Sequence, residues 1–176
     1  MRTLERRESG LWACHTRVEK FEQTWTELGL TQDQWDDFVL HHEIEPYDVV
    51  EVDGNLLVTA GLNLMLSLLT GQGGSAFSSG NAHLGVGDSN TAAAVGQTDL
   101  QAATNKTRAA MVGGYPTAPA SGAVQFRSDF SGANYVWNEW GTFNANSAGT
   151  MLNRKVENLG TKASGVWTLT VTITIT

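Results

Sequence analysis

His41-His42-Glu43, followed by Glu45 and Asp48, bring imidazoles and carboxylates of metal-ligand type close together. Adjacent side chains on a helix point about 100° apart, and the i, i+4 histidine pair of the zinc proteases is absent. The stretch therefore reads as a solvated helix end, with histidine beside the C-terminal dipole. Glu22 to Asp53 holds ten carboxylates and no Lys or Arg. No part of it has the spaced Asp/Asn/Gly/Glu pattern of a calcium loop, so it reads as acidic surface. Gly85-Val86-Gly87-Asp88 is half of a dinucleotide fingerprint without its third glycine, and turn chemistry explains it better. No Gly-x-Ser-x-Gly elbow is present.

The remaining candidate is Glu139, inside Tyr135-Val-Trp-Asn-Glu-Trp-Gly141. A carboxylate among strand aromatics is expected to be partly buried and to need a cationic partner. Arg108, Arg127 and Arg154 each fall in a predicted strand, so a structural ion pair is expected. No catalytic residue, metal site or cofactor is implied, and the chain is read as a non-enzyme. An enzyme of the capsule-depolymerase kind would need a carboxylate pair facing a cleft.

The elements that position these residues are mostly strands. From Trp167 to Thr176 apolar residues alternate strictly with threonine, which puts one face in a core and a β-branched polar face opposite. Strands are also predicted at His83–Val86, Lys106–Val112, Val124–Phe130, Tyr135–Phe143 and Met151–Val156, with a weaker one after Leu11 and another over Tyr47–Val52. Glycine-rich turns separate them. Val124, Phe126, Ser128 and Phe130 share one face, with Gln125, Arg127 and Asp129 opposite. Thr31-Gln32-Asp33-Gln34 has the form of a capping box and starts a helix over 32–42. Apolar residues at 62, 65, 66 and 69 predict a second helix ending at Gly71, buried on most sides. The fold class expected is mainly β: an antiparallel sandwich or small barrel with one buried helix, preceded by an acidic N-terminal arm containing a short helix.

Charge divides the chain in the same place. Residues 1–54 carry 13 acids and 5 bases, and residues 55–176 carry 5 acids and 6 bases, for a total of −7. Two units are therefore expected: an arm and acidic helical segment at 1–54, and a structural domain at 55–176. Within the arm, Arg2, Arg6, Arg7, Leu11 and Trp12 are the expected partner-binding residues, with residues 1–21 adding a strand to a partner's open edge. An acidic chain without clustered Lys and Arg is a poor nucleic-acid binder. Leu62 to Leu69 is too short to span a bilayer. The start of the chain lacks the apolar run of a signal peptide, and the single cysteine, Cys14, reads as a buried hydrophobe. Synthesis in a reducing cytoplasm is expected.

From Asn55 onward the chain resembles the β-rich structural proteins of tailed bacteriophages, the head decoration, minor tail and tail-fibre-like group. The resemblance is carried, in order, by Asn55-Leu-Leu-Val-Thr-Ala-Gly-Leu-Asn-Leu-Met-Leu, Ala82-His-Leu-Gly-Val-Gly-Asp-Ser-Asn-Thr-Ala, Thr98-Asp-Leu-Gln, Phe126-to-Phe143, Gly149-Thr-Met-Leu-Asn-Arg and the terminal strand. It implies a virion component with no catalytic residues. A short sandwich ending on its last strand fits a head decoration protein, clamping neighbouring copies of the major capsid protein on the capsid exterior. Self-association, with a trimer favoured by capsid symmetry, is expected with it. The alternative is a tail-tip, tail-fibre or minor tail protein in host adsorption, with Trp137 and Trp140 as glycan-stacking surfaces.

Overall fold

The computed structural model describes residues 12–42 and 44–176. Nine strands and two helices are formed by these residues: β1 (Trp12–Phe21), α1 (Gln32–His41), β2 (Asp48–Asp53), β3 (Leu56–Leu57), α2 (Thr59–Leu69), β4 (His83–Gly87), β5 (Lys106–Ala110), β6 (Ala123–Phe130), β7 (Val136–Phe143), β8 (Met151–Thr161) and β9 (Val166–Ile175). They make two antiparallel sheets, ordered β2-β1-β9-β6 and β3-β8-β7-β4-β5. Facing sheets that share one core make this an antiparallel β-sandwich.

The alternation in β9 sets the first sheet. Trp167, Leu169, Val171 and Ile173 are buried and point inward. They lie opposite Lys20, Val18, Thr16 and Cys14 of β1 on one side, and Phe130, Ser128, Phe126 and Val124 of β6 on the other. Each inward residue therefore has a cross-strand neighbour on both flanks, the unit from which sheets gain stability. Trp167 packs edge-on against Trp137 of β7, which meets Phe130 in the same way, both at 4.9 Å between ring centroids. Those three rings join the two sheets.

The expected division at residue 54 does not follow the packing. β1 lies between β2 and β9, its full length from Trp12 to Phe21 paired with Ile175 to Val166. Residues 12–53 thus supply half the strands of a sheet whose other half comes from 123–175. The reading of 1–21 as an added arm is corrected for β1, an interior strand of its own fold. Charge misled here because only one face of β1 is buried. Its outward positions carry His15, Arg17 and Glu19, which pair with Asp53 and Glu51 of β2 and, within β1, with each other.

The second helix departs from expectation too. Gly61 and Leu64 are buried, and Gly61 lies so close to the Leu152 backbone that a Cβ would overlap it. That approach sets α2 tightly on β8 along one face, while Leu62, Leu66 and Leu69 stay exposed on the other. At the start of α1, Gln34 reaches back to accept the Thr31 N–H at 2.9 Å, the return half of the expected capping box.

Gly85 and Gly87, read as turn residues, lie within β4. A Cβ on Gly87 would stand 2.6 Å from the Glu139 carboxylate, and one on Gly85 would stand 2.8 Å from the Phe143 ring. These glycines are there for close approach.

Because β1 is interior, a chain lacking residues 1–21 should fail to fold, giving no cooperative thermal transition and no near-UV circular dichroism. A cooperative transition in that truncation would show that the 55–176 portion is self-sufficient.

Candidate functional site

Three polar centres and one apolar surface are candidates for function. The first is the Glu139 carboxylate, completely buried beneath the 88–105 loop. A bulge between Trp137 and Glu139 in β7 shifts the alternation by one residue. Trp137 and Trp140 consequently both enter the core, and Glu139 turns outward under the loop. Its Oε1 accepts the Ala102 N–H at 2.7 Å, and its Oε2 accepts Gln101 N–H at 2.9 Å and Arg154 Nε at 2.7 Å. Arg154, also fully buried, donates further to the Gln97 side chain and the Thr91 carbonyl. The pair thus holds the loop at four points.

The other two arginines considered for Glu139 lie elsewhere. Arg108 stacks on Phe143, its guanidinium carbon 3.6 Å from the ring centroid, and bonds Asp99 and the Ala145 carbonyl. Asp99 also receives Lys106 at 2.7 Å. Burial works against the Asp99 carboxylate, but hydrogen bonds from Lys106 and Arg108 outweigh it and hold its pKa below the ordinary value. This trio lines an open cleft of about 430 Å³ together with Asn146 and Ser147. Both cations there are already engaged by Asp99.

Arg127 belongs to the second centre, on the outer face of the β2-β1-β9-β6 sheet. It bonds Asp36 of α1 at 3.0 Å and stands 3.7 Å from Glu19 of β1. Beside it, Asp129 is almost wholly buried, with Oδ1 accepting the Thr168 hydroxyl at 2.6 Å and Oδ2 without a partner. Burial, with the charge of Asp36 next, pushes the Asp129 pKa up to about 7. The Thr168 hydrogen bond and Arg127 oppose the shift without cancelling it.

The third centre is Lys162, whose ammonium is enclosed by oxygen. It donates to the carbonyls of Ser131, Ser164 and Gly165 and to Asn134 Oδ1, at 2.8–3.2 Å. Burial draws its pKa down to about 8. The charge acts as a tethered cation tying the turns around 131–134 and 162–165 together. Nothing in the Lys162 sequence neighbourhood marks it, because three of its four partners are backbone oxygens and the fourth is the Asn134 side chain, 28 residues away. Asp129 was at least legible as facing away from the core by its alternation with Phe126, Ser128 and Phe130.

Of the residues expected to bind a partner, Trp12 donates its indole N–H to Asn55 at 2.6 Å, a bond within the chain. Arg2, Arg6, Arg7 and Leu11 lie outside the described residues, as does Glu43. Trp137 and Trp140 are fully buried, which removes them as stacking surfaces. Cys14 is buried as expected, and burial pushes its thiol pKa up to about 12. Among the described residues no group of three or more His, Cys, Asp or Glu is placed to hold a metal ion. No helix among them is long and apolar enough to cross a membrane.

The apolar surface is the outer face of α2. Leu62, Leu66 and Leu69 are 42%, 51% and 82% exposed and follow one another at i, i+4 and i+7. Val95 is 56% exposed, and its carbonyl accepts the Thr59 N–H that begins the helix. No residue of α2 is charged. Singly exposed leucines need no explanation; these three lie in line on a helix that carries no charge and form an apolar stripe.

No family model, no curated protein and no solved structure matches this chain. The fold class rests on the sheets themselves: a mainly β, two-sheet antiparallel sandwich.

Glu139→Gln removes the charge opposite a fully buried guanidinium while keeping the shape. It should cost about 3–5 kcal/mol in urea unfolding, the usual penalty for stranding one member of a buried pair. A loss below about 1 kcal/mol would mean that the neutral hydrogen bonds alone hold the loop.

Proposed function

We propose that this chain is a non-enzymatic structural protein of a tailed-bacteriophage virion, a head decoration protein that clamps neighbouring coat subunits. The observation that carries the reading is the uncharged leucine stripe of α2, displayed on an otherwise acidic protein. With a net charge of −7, long-range attraction would require a basic partner, but a surface without charge can dock by burial alone. Apolar area removed from water contributes roughly 25 cal/mol per Å². One such patch is small beside the total of about 1,200–2,000 Å² for a stable interface. Repetition over a shell supplies the remainder, since linked contacts multiply through avidity.

The resemblance of residues 55–176 to virion structural proteins supports the same reading, and α2 lies within that span. The acidic segment and the apolar helix are carried by different sheets, which suits a protein with one face on a shell and another towards solvent. Carboxylates facing packed DNA would be repelled by its phosphates, so the capsid exterior is the favoured location. The tail-tip alternative drew on Trp137 and Trp140 as a glycan shelf, and both are buried in the core.

The test is incorporation into particles. Leu66→Ser combined with Leu69→Ser changes two exposed positions, so thermal unfolding should shift little. Binding to DNA-filled heads lacking the native copy should fall at least tenfold by co-sedimentation. Unchanged saturation of the heads would remove α2 from the interface, and labelling confined to the tail in electron micrographs would overturn the head assignment.

A further inference from the structure

Residues 22–42, with α1 at their centre, lie across the outer face of the β2-β1-β9-β6 sheet, and their attachment is uneven. On the apolar side, Trp35 is the single fully buried residue of α1. It packs in a cluster with Phe21, Val166, Trp25, Val39 and Ile44. On the polar side the fit is poor. Trp35 Nε1, Arg127 Nε, Asp129 Oδ2 and Thr170 Oγ1 are all buried without a hydrogen-bond partner. Half of the eight such side-chain atoms among the described residues are gathered under this one segment.

The charges there do not balance. Arg127 of β6 faces Asp36 of α1 and Glu19 of β1, which it shares with Arg17, itself also bound to Glu51, and Asp129 of β6 adds a third carboxyl to the same guanidinium. Glu45, just before β2, lines the cleft beside Glu19 and Arg127. The Tyr115 phenol also faces Arg127. On the other side of Asp129, Arg108 of β5 lines the same small cleft, but its guanidinium is committed to Asp99 and Ala145. A buried polar atom without a partner is destabilising, because its desolvation is not compensated. The segment is thus held by the Trp35 cluster, the Asp36–Arg127 ion pair and the Val166 N–H bond to the Gln23 carbonyl, over a layer that leaves buried polar atoms unpartnered.

We infer that residues 22–42 form a pH-sensitive strap, closed over the sheet while Asp129 is protonated and released as it ionises. Opening would uncover the Phe21–Val166 edge and the threonine face of β9. The reading is independent of where the protein acts. The sign follows from burial: an acid whose pKa is raised in the closed form, here from 3.8 to about 7, binds more protons closed than open. Closure is therefore fully favoured below about pH 4, and that advantage is lost as pH rises through about 7. Between those limits each pH unit favours opening by up to about tenfold.

Hydrogen exchange of the full chain tests this, with protection factors corrected for intrinsic exchange. Protection of amides in 32–42 should fall at least tenfold from pH 5 to pH 7.5, while β9 amides change less than threefold. Asp129→Asn keeps an acceptor for Thr168 and cannot ionise, so it should abolish the pH dependence. Should that variant fold poorly, Thr168→Val removes a hydrogen bond that favours the charged carboxylate in the closed form, so the fall in protection between pH 5 and pH 7.5 should become larger. Protection in 32–42 that is independent of pH in the native chain, or equally pH-dependent in Asp129→Asn, would overturn the strap.

Discussion

The pairing of β9 on both its edges is the constraint on which the rest of the molecule depends. β9, the last strand of the described chain, pairs with its first strand, β1, on one edge and with β6 on the other. Ladder hydrogen bonds between segments so distant in sequence carry a high closure entropy, which grows slowly with loop length and is met once for the whole sheet. Alternation in β9 then fixes register, because a slip by one residue would exchange its buried face for its threonines. The three-ring contact of Trp167, Trp137 and Phe130 follows from that register and links the second sheet to the first.

The second sheet solves a different problem. The 88–105 segment contains no strand or helix, yet it covers Glu139 and packs its own Leu100 in a cluster with Phe143. Its backbone groups and the buried Glu139–Arg154 pair satisfy each other. A buried ion pair of this kind is weak evidence for stability in itself, since desolvation offsets much of the attraction. Its effect here is on position: the carboxylate and guanidinium fix the loop at Thr91, Gln97, Gln101 and Ala102. Gly87 leaves the room the carboxylate needs.

The 88–105 loop and the 22–42 segment are attached in opposite ways. Under the loop every Glu139 and Arg154 interaction has its counterpart. Under α1, partners are missing and acids outnumber the guanidinium. One cover is a fixture and the other is conditional. The α2 face differs from both, because its leucines are exposed on a helix that itself carries no charged residue.

Much of the sandwich was legible in the sequence because alternation is a local signal. The inward face of β6, the ends of β7 and the full run of β9 follow from residues two apart. Of the candidate sites, Glu139 as a buried paired acid was legible from its aromatic neighbours. The choice of Arg154 among three arginines was not, since it depends on the β7 bulge and on β7–β8 register. Nor was the membership of β1 in the sheet, because charged outward positions on an interior strand look like those of a free arm. The threonines of β9 show the limit most clearly. Their spacing fixed that they face away from the core, but Thr168 is fully buried there beneath the α1 segment. Local periodicity determined which side of the sheet each residue takes. What lies over that side is a contact between segments more than a hundred residues apart, and only the folded chain decides it.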